Sequence, residues 1–110
     1  MDIRIGDLRH RVTLEQSVRA DDGCGGAIET WEAVAQLWGA VRPLSGFERE
    51  TADQLAGRVT HEVWVRYRAG VEPEMRFTAN AGARVFEIRA VIDSGERRRF
   101  LKCLCEERDL

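Results

Sequence analysis

The sequence is poor in the features that define whole classes of protein. No apolar run approaches the ~20 residues needed to cross a bilayer. The opening Met1-Asp2-Ile3-Arg4-Ile5-Gly6-Asp7 has no long apolar stretch, unlike a signal peptide. There are only three cysteines. That odd number implies no small secreted disulfide scaffold and points to a reducing compartment, hence cytoplasmic synthesis. No charge of one sign dominates: 17 basic and 19 acidic side chains leave a net charge of −2. Such a balance argues against non-specific DNA binding as the main task and offers no membrane-binding patch.

Catalytic patterns are equally scarce. There is no Ser-His-Asp arrangement and no nucleophile elbow. The acidic pairs Asp21-Asp22 and Glu106-Glu107 read as solvated charges. Gly23-Cys24-Gly25-Gly26 is glycine-rich, but no G-x-x-x-x-G-K-[ST] phosphate loop is present. Cys103 and Cys105 share one face of a strand beside Leu101. Paired zinc ligands are usually spaced C-x₂₋₄-C, and Cys24, His10 and His61 are scattered, so the pair reads as small core residues. The expectation is a non-enzyme with no catalytic residue, metal or cofactor.

What remains is a patterned chain of 110 residues, 44% apolar and 33% charged, which is one domain's length spanning 1–110. Arg11–Gln16 alternates, with Val12 and Leu14 on one face, as in a half-buried strand. The glycines and aspartates of the connection 18–28 mark a mobile loop. Glu29–Leu44 fits a long strand with a bend or bulge near Gly39, and fits a helix equally well; Pro43 ends it either way. Ser45-Gly46-Phe47-Glu48 is a capping box opening a helix of about three turns, which Gly57 stops. Phe47, Leu55 and the alanines form its narrow apolar face.

The rest reads as strands. Thr60–Arg68 places Val63, Val65 and Tyr67 on one face and Glu62, Trp64, Arg66 and Arg68 on the other. Met75–Ala79, Arg84–Ile92 and Phe100–Glu106 follow, separated by turns. In Arg84–Ile92, Val85, Glu87, Arg89 and Val91 oppose Phe86, Ile88, Ala90 and Ile92. These residues suggest a small antiparallel barrel or sandwich with one helix inserted.

Two features carry candidate contacts. Trp64 among charges has the composition of a protein–protein contact, or else is covered within its own subunit. Arg97-Arg98-Arg99, among sixteen arginines and one lysine, suits partner-subunit salt bridges, DNA phosphate or a solvated turn. The charge is also uneven. Residues 1–55 carry 6 basic and 10 acidic side chains, and residues 56–110 carry 11 and 9. Opposite-sign halves allow head-to-tail stacking of copies, unless the asymmetry is chance.

The order of these pieces resembles the phage head–tail joining family, the head-closure or stopper proteins of siphophages, prophages and gene transfer agents. The matching residues are Ile5–Leu14, then Gly25-Gly26 with Glu29-Thr30-Trp31. Next come Leu37–Gly46 with Glu48, Thr60-His61-Glu62-Val63 and Val65–Arg68, and finally Phe86-Glu87-Ile88 and Cys105-Glu106. Gly39 departs from the family's habit of Ala after the Trp. The resemblance implies a mainly β fold, a small antiparallel β-barrel of about six strands with one short helix between strands 2 and 3. It implies a structural role in the virion or gene-transfer particle. Copies would form a six-fold or twelve-fold ring under the portal-bound adaptor, retain packaged double-stranded DNA and receive the tail terminator. Glu62, Trp64, Arg66 and Arg68 become subunit-interface candidates, and Asp21, Asp22, Gly23, Gly25 and Gly26 an assembly loop. Phe47, Glu48, Arg49 and Arg58 become channel-side candidates; Arg97, Arg98 and Arg99, like Cys103, match no family pattern and stay candidate partner or DNA contacts on their chemistry alone. The alternatives are a tail terminator or adaptor subunit, or a small OB-like nucleic-acid-binding barrel.

Overall fold

In the computed structural model, which describes residues 4–93 and 98–108, the alternating segments become six strands. They are β1 (His10–Asp21), β2 (Ala27–Pro43), β3 (His61–Arg66), β4 (Arg76–Ala79), β5 (Arg84–Asp93) and β6 (Phe100–Arg108). A 3₁₀ turn, Ile5–Asp7, precedes them, and one helix, α1 (Gly46–Ala56), lies between β2 and β3. All pairings are antiparallel, and the sheet closes on itself in the order β1-β2-β3-β6-β5-β4, with β4 returning to β1. The mainly β expectation, six strands with a helix between the second and third, holds.

Closure leaves one apolar interior. Val12 and Leu14, Val63 and Val65, Phe77 and Ala79, Phe86 and Ile88, and Leu101, Cys103 and Cys105 point inward from five strands. Leu37 and Val41 add the β2 side. Each large residue fully buried here contributes about 1.5–3 kcal/mol of transfer free energy. Burial pushes the Cys103 thiol up to about 12 and that of Cys105 well above its ordinary value, so both stay neutral. They are core residues, as their shared strand face suggests.

Two irregularities depart from simple alternation. The β1–β2 register shifts between Leu14 and Glu15, opposite Ala35 and Ala33, so the bulged residue is Val34. The expected bulge near Gly39 is thus five residues too late. Gly39 continues the inward parity, and a Cβ there would stand 3.1 Å from the Trp64 carbonyl oxygen. Its role is close approach of β2 to β3. In β5 a second shift, between Ile88 and Ala90, places Arg89 in a bulge. The faces exchange beyond it: Val91 packs on the core, whereas Ala90 and Ile92 turn outward.

Helix α1 has the anticipated capping box. The Ser45 hydroxyl accepts the Glu48 N–H at 3.3 Å, and Glu48 Oε1 accepts the Ser45 N–H at 3.2 Å. Ala52 is buried against Val59 and Leu104, with Leu44 and Ala90 beside them. The narrow apolar face expected for this helix is narrower still. Phe47 is 80% exposed and Leu55 75% exposed, because only Ala52 meets the sheet in the middle of the helix.

The largest correction concerns the connection 18–28. It is mostly strand. β4 stops pairing with β1 at Glu15, yet β1 and β2 continue as a two-stranded ribbon to Asp21 and Ala27. About six further residues per strand carry this arm about 20 Å beyond the barrel. It accounts for the long dimension of a molecule measuring 50 × 28 × 26 Å.

Candidate assembly surfaces

The arm ends in a turn that its own aspartates organise. Asp21 Oδ1 accepts the Gly23 N–H at 2.9 Å, and Asp22 Oδ1 accepts those of Cys24 at 2.7 Å and Gly26 at 3.0 Å. Gly23 and Gly25 adopt φ of +80° and +82°, which side chains with a Cβ rarely adopt. The assembly-loop candidates therefore form a defined turn spanning Asp22–Gly26, at the end of the ribbon. At the arm's base, Arg76 donates to Glu15 at 2.7 Å and lies over the Trp31 ring at 4.1 Å.

The outward face of β3 is less open than its composition suggests. Glu62 is 6% exposed and Trp64 5%. Arg42 on β2 covers Glu62, with Nε donating to Oε1 at 2.9 Å, and Lys102 Nζ lies 3.8 Å from Oε2. Trp64 sits between Ala40 and Lys102, whose ammonium is 5.7 Å from the ring centroid. Its Nε1 has no hydrogen-bond partner among the described residues. Of the four residues expected to form an open interface, Arg66 is exposed and Arg68 half-buried, whereas Glu62 and Trp64 are enclosed by their own chain.

Arg42 also holds the helix start. It donates to Glu48 at 3.1 and 2.6 Å, so one guanidinium ties β2, β3 and the capping box together. That hydrogen bond, helped by the Ser45 N–H, holds the Glu48 carboxyl at about 2. The same two carboxylates raise Arg42 above its ordinary value, against the opposing effect of burial. Of the channel-side candidates, Glu48 is thus committed within the chain. Arg49 is exposed, and Arg58, its side chain 86% exposed, stands 3.4 Å from Glu106. Phe47 and Leu55 edge a shallow groove of about 270 Å³, with Leu44, Ile92 and Leu104 below.

In the arginine run, Arg97 lies outside the described residues. Arg98 and Arg99 are exposed; the Arg98 N–H is bound to Asp93 Oδ1 at 3.2 Å, and the Arg99 carbonyl accepts from the Tyr67 N–H.

The barrel interior is closed at one mouth by a polar cluster. Arg84 lies over the Phe86 ring at 4.8 Å and donates to Glu107 at 2.6 Å. This hydrogen bond lowers the Glu107 pKa. His61 packs edge-on against Phe86 at 5.3 Å, and burial lowers its pKa, so its neutral ring is favoured. From this mouth a cleft of about 880 Å³ runs over β1 and β4. Arg9, Arg11, Arg76 and Arg84 line it, with Glu15 as the one carboxylate. Arg9 and Arg11 are near neighbours in the sequence, on either side of His10. Arg76 and Arg84 are remote in sequence, and only the β1–β4 and β4–β5 pairings bring the four together.

The described residues present charged surfaces, an arm and a closed sheet, and hold no cluster of metal-ligating side chains. Fold and surfaces together define a small closed β-sheet protein with a protruding arm, and comparison with known proteins gives its family. A family model described as phage head completion protein matches residues 3–108. The chain belongs to that family, the head–tail joining proteins of phage particles, and it is a structural protein of the virion. Its fold is similar to the solution structure of protein SF1141 from Shigella flexneri 2a, at 29% identity and a TM-score of 0.74, covering 96% of each chain. It is also similar to a chain in the virion of a native gene transfer agent particle, at 33% identity and a TM-score of 0.66, covering 94% of this chain and 97% of the other. No curated protein matches the sequence.

Proposed function

We propose that the protein is the stopper of its particle: a subunit of a ring that closes the filled head and receives the tail. The observation that carries this reading is the whole-length likeness to a component of a gene transfer agent virion. Six or twelve copies would sit beneath the portal-bound adaptor, present a surface to the tail terminator and retain double-stranded DNA in the channel. The arm with Asp21, Asp22, Gly23, Gly25 and Gly26 is the assembly element. The connection carrying α1, with Phe47, Arg49 and Arg58, is the channel-side element, and Arg98 and Arg99 contact a partner or DNA. The enclosed Glu62 and Trp64 would then act as supports for the exposed Arg66. A molecule with exposed polar surfaces at both ends suits a subunit that is soluble alone and assembles on a template.

The test is electron microscopy of particles from cells carrying a disrupted gene. DNA-filled or leaking heads accumulating beside free, complete tails are expected. Normal particles, or heads that never package DNA, would overturn the stopper reading.

A further inference from the structure

Two groups of charges without ion pairs among the described residues are opposite in sign and separate in place. Most carboxylates of the barrel are matched: Glu62 with Arg42, Glu15 with Arg76, Glu107 with Arg84, Glu106 with Arg89 and Glu87 with Arg108. The arm is different. Residues 16–32 hold Asp21, Asp22, Glu29 and Glu32 against Arg19, a net −3, and none of the four carboxylates forms an ion pair among the described residues. The cleft is the converse. With Arg76 matched by Glu15 and Arg84 by Glu107, Arg9 and Arg11 leave it a net +2. Arg9 donates only to the Gly6 carbonyl, and Arg11 to Gln36 while lying over Trp38, so neither meets a carboxylate among the described residues.

These patches lie toward opposite ends of β1, the arginines at its start and the aspartates at its end. An arm therefore cannot fold back on its own cleft. An arm of about 20 Å does span most of a neighbour's 26–28 Å width. We infer that the acidic arm of one copy docks in the arginine-lined cleft of the next. The contact joins two different patches, so it propagates head-to-tail and closes into a ring when the rotation permits. Exposed Ile28 adds apolar area beside the charges. A DNA strand in the same cleft is the competing occupant. It is disfavoured because the chain carries its own acidic complement and a net charge of −2. The inference rests on the ring reading and specifies its subunit contact.

Cys24 provides the probe. It is exposed at the arm tip, whereas Cys103 and Cys105 are buried. Ala83→Cys places a second thiol at an exposed position between the cleft residues Gly82 and Arg84, and Gln54→Cys on the helix is the control. Under mild oxidation at low salt, the full-length Ala83→Cys protein should form an intermolecular Cys24 disulfide that the control does not. Asp21→Lys with Asp22→Lys should abolish it, and Arg9→Glu with Arg11→Glu should do the same in the intact arm. Combining both reversals should restore it, which separates a docking defect from misfolding. Equal linking at Gln54→Cys, or no linking, overturns the contact. Rings seen by sedimentation without the link leave the stopper reading standing and remove the arm-to-cleft contact. Loss of binding to a short random-sequence DNA duplex in Arg9→Glu with Arg11→Glu, with the link unchanged, assigns the cleft to DNA and also overturns it.

Discussion

The barrel and the arm share two strands and obey different rules. Within the barrel, β1 has neighbours on both sides, one face is dry, and most strand carboxylates have a basic side chain beside them. Beyond Glu15 the same strand has one neighbour and no core. A two-stranded ribbon alone is marginal in water. This one persists because its base is anchored: Glu15, Arg76 and Trp31 clasp it to β4. The difference separates stability from assembly. Mutations in the barrel should act on folding, and mutations in the arm on association.

The largest effect that would sharpen this contrast is in the core. Phe86→Ala removes a fully buried ring on which His61 and Arg84 pack, and should cost about 3–5 kcal/mol in urea unfolding. A loss below about 1 kcal/mol would mean that the interior is not closed as described.

Next is Arg42→Ala. It strands the buried Glu62 carboxylate and loosens the helix start together, at a cost of about 3 kcal/mol. The double variant Arg42→Ala with Glu62→Ala should recover part of this loss, because the uncompensated charge is gone.

Acid should act on the same cluster. The Glu48 carboxyl is held at about 2 against an ordinary 4.5. A lowered carboxylate stabilises the fold fully above its unfolded value and loses that contribution as pH falls through the folded one. The capping box should therefore weaken between pH 4.5 and 2. His61, lowered from 6.5 by burial, adds a loss that begins below pH 6.5. Melting temperature against pH should drop in both windows, and Glu48→Gln should flatten the lower one alone.

The smallest effect on folding belongs to the arm. Deleting Asp22–Gly26 and rejoining the strands should change unfolding free energy by no more than about 0.5 kcal/mol. Head closure or tail attachment should nevertheless fail in particles carrying the deletion. Particles that mature normally would erase the distinction between the two regions.

The sequence by itself determined what depends on near neighbours along the chain. The capping box needs only Ser45 and Glu48 three residues apart. The inward parity of Val12, Leu14, Val63, Val65, Leu101, Cys103 and Cys105 follows from the two-residue repeat of a strand. The turn glycines follow from backbone freedom. Only the tertiary structure decided what depends on strands meeting. The bulges at Val34 and Arg89 reverse faces without a local signal, because either parity satisfies the same residues until a partner strand sets the register. Whether Trp64 faces water depends on Ala40 and Lys102 arriving from β2 and β6. The 18–28 connection became an arm because β1 and β2 outrun their other partners. The cleft exists only because closure carries Arg76 and Arg84 to Arg9 and Arg11. Burial and electrostatic neighbourhood are properties of contacts distant in sequence, and hydrophobic alternation records a side chain's face but not what covers it.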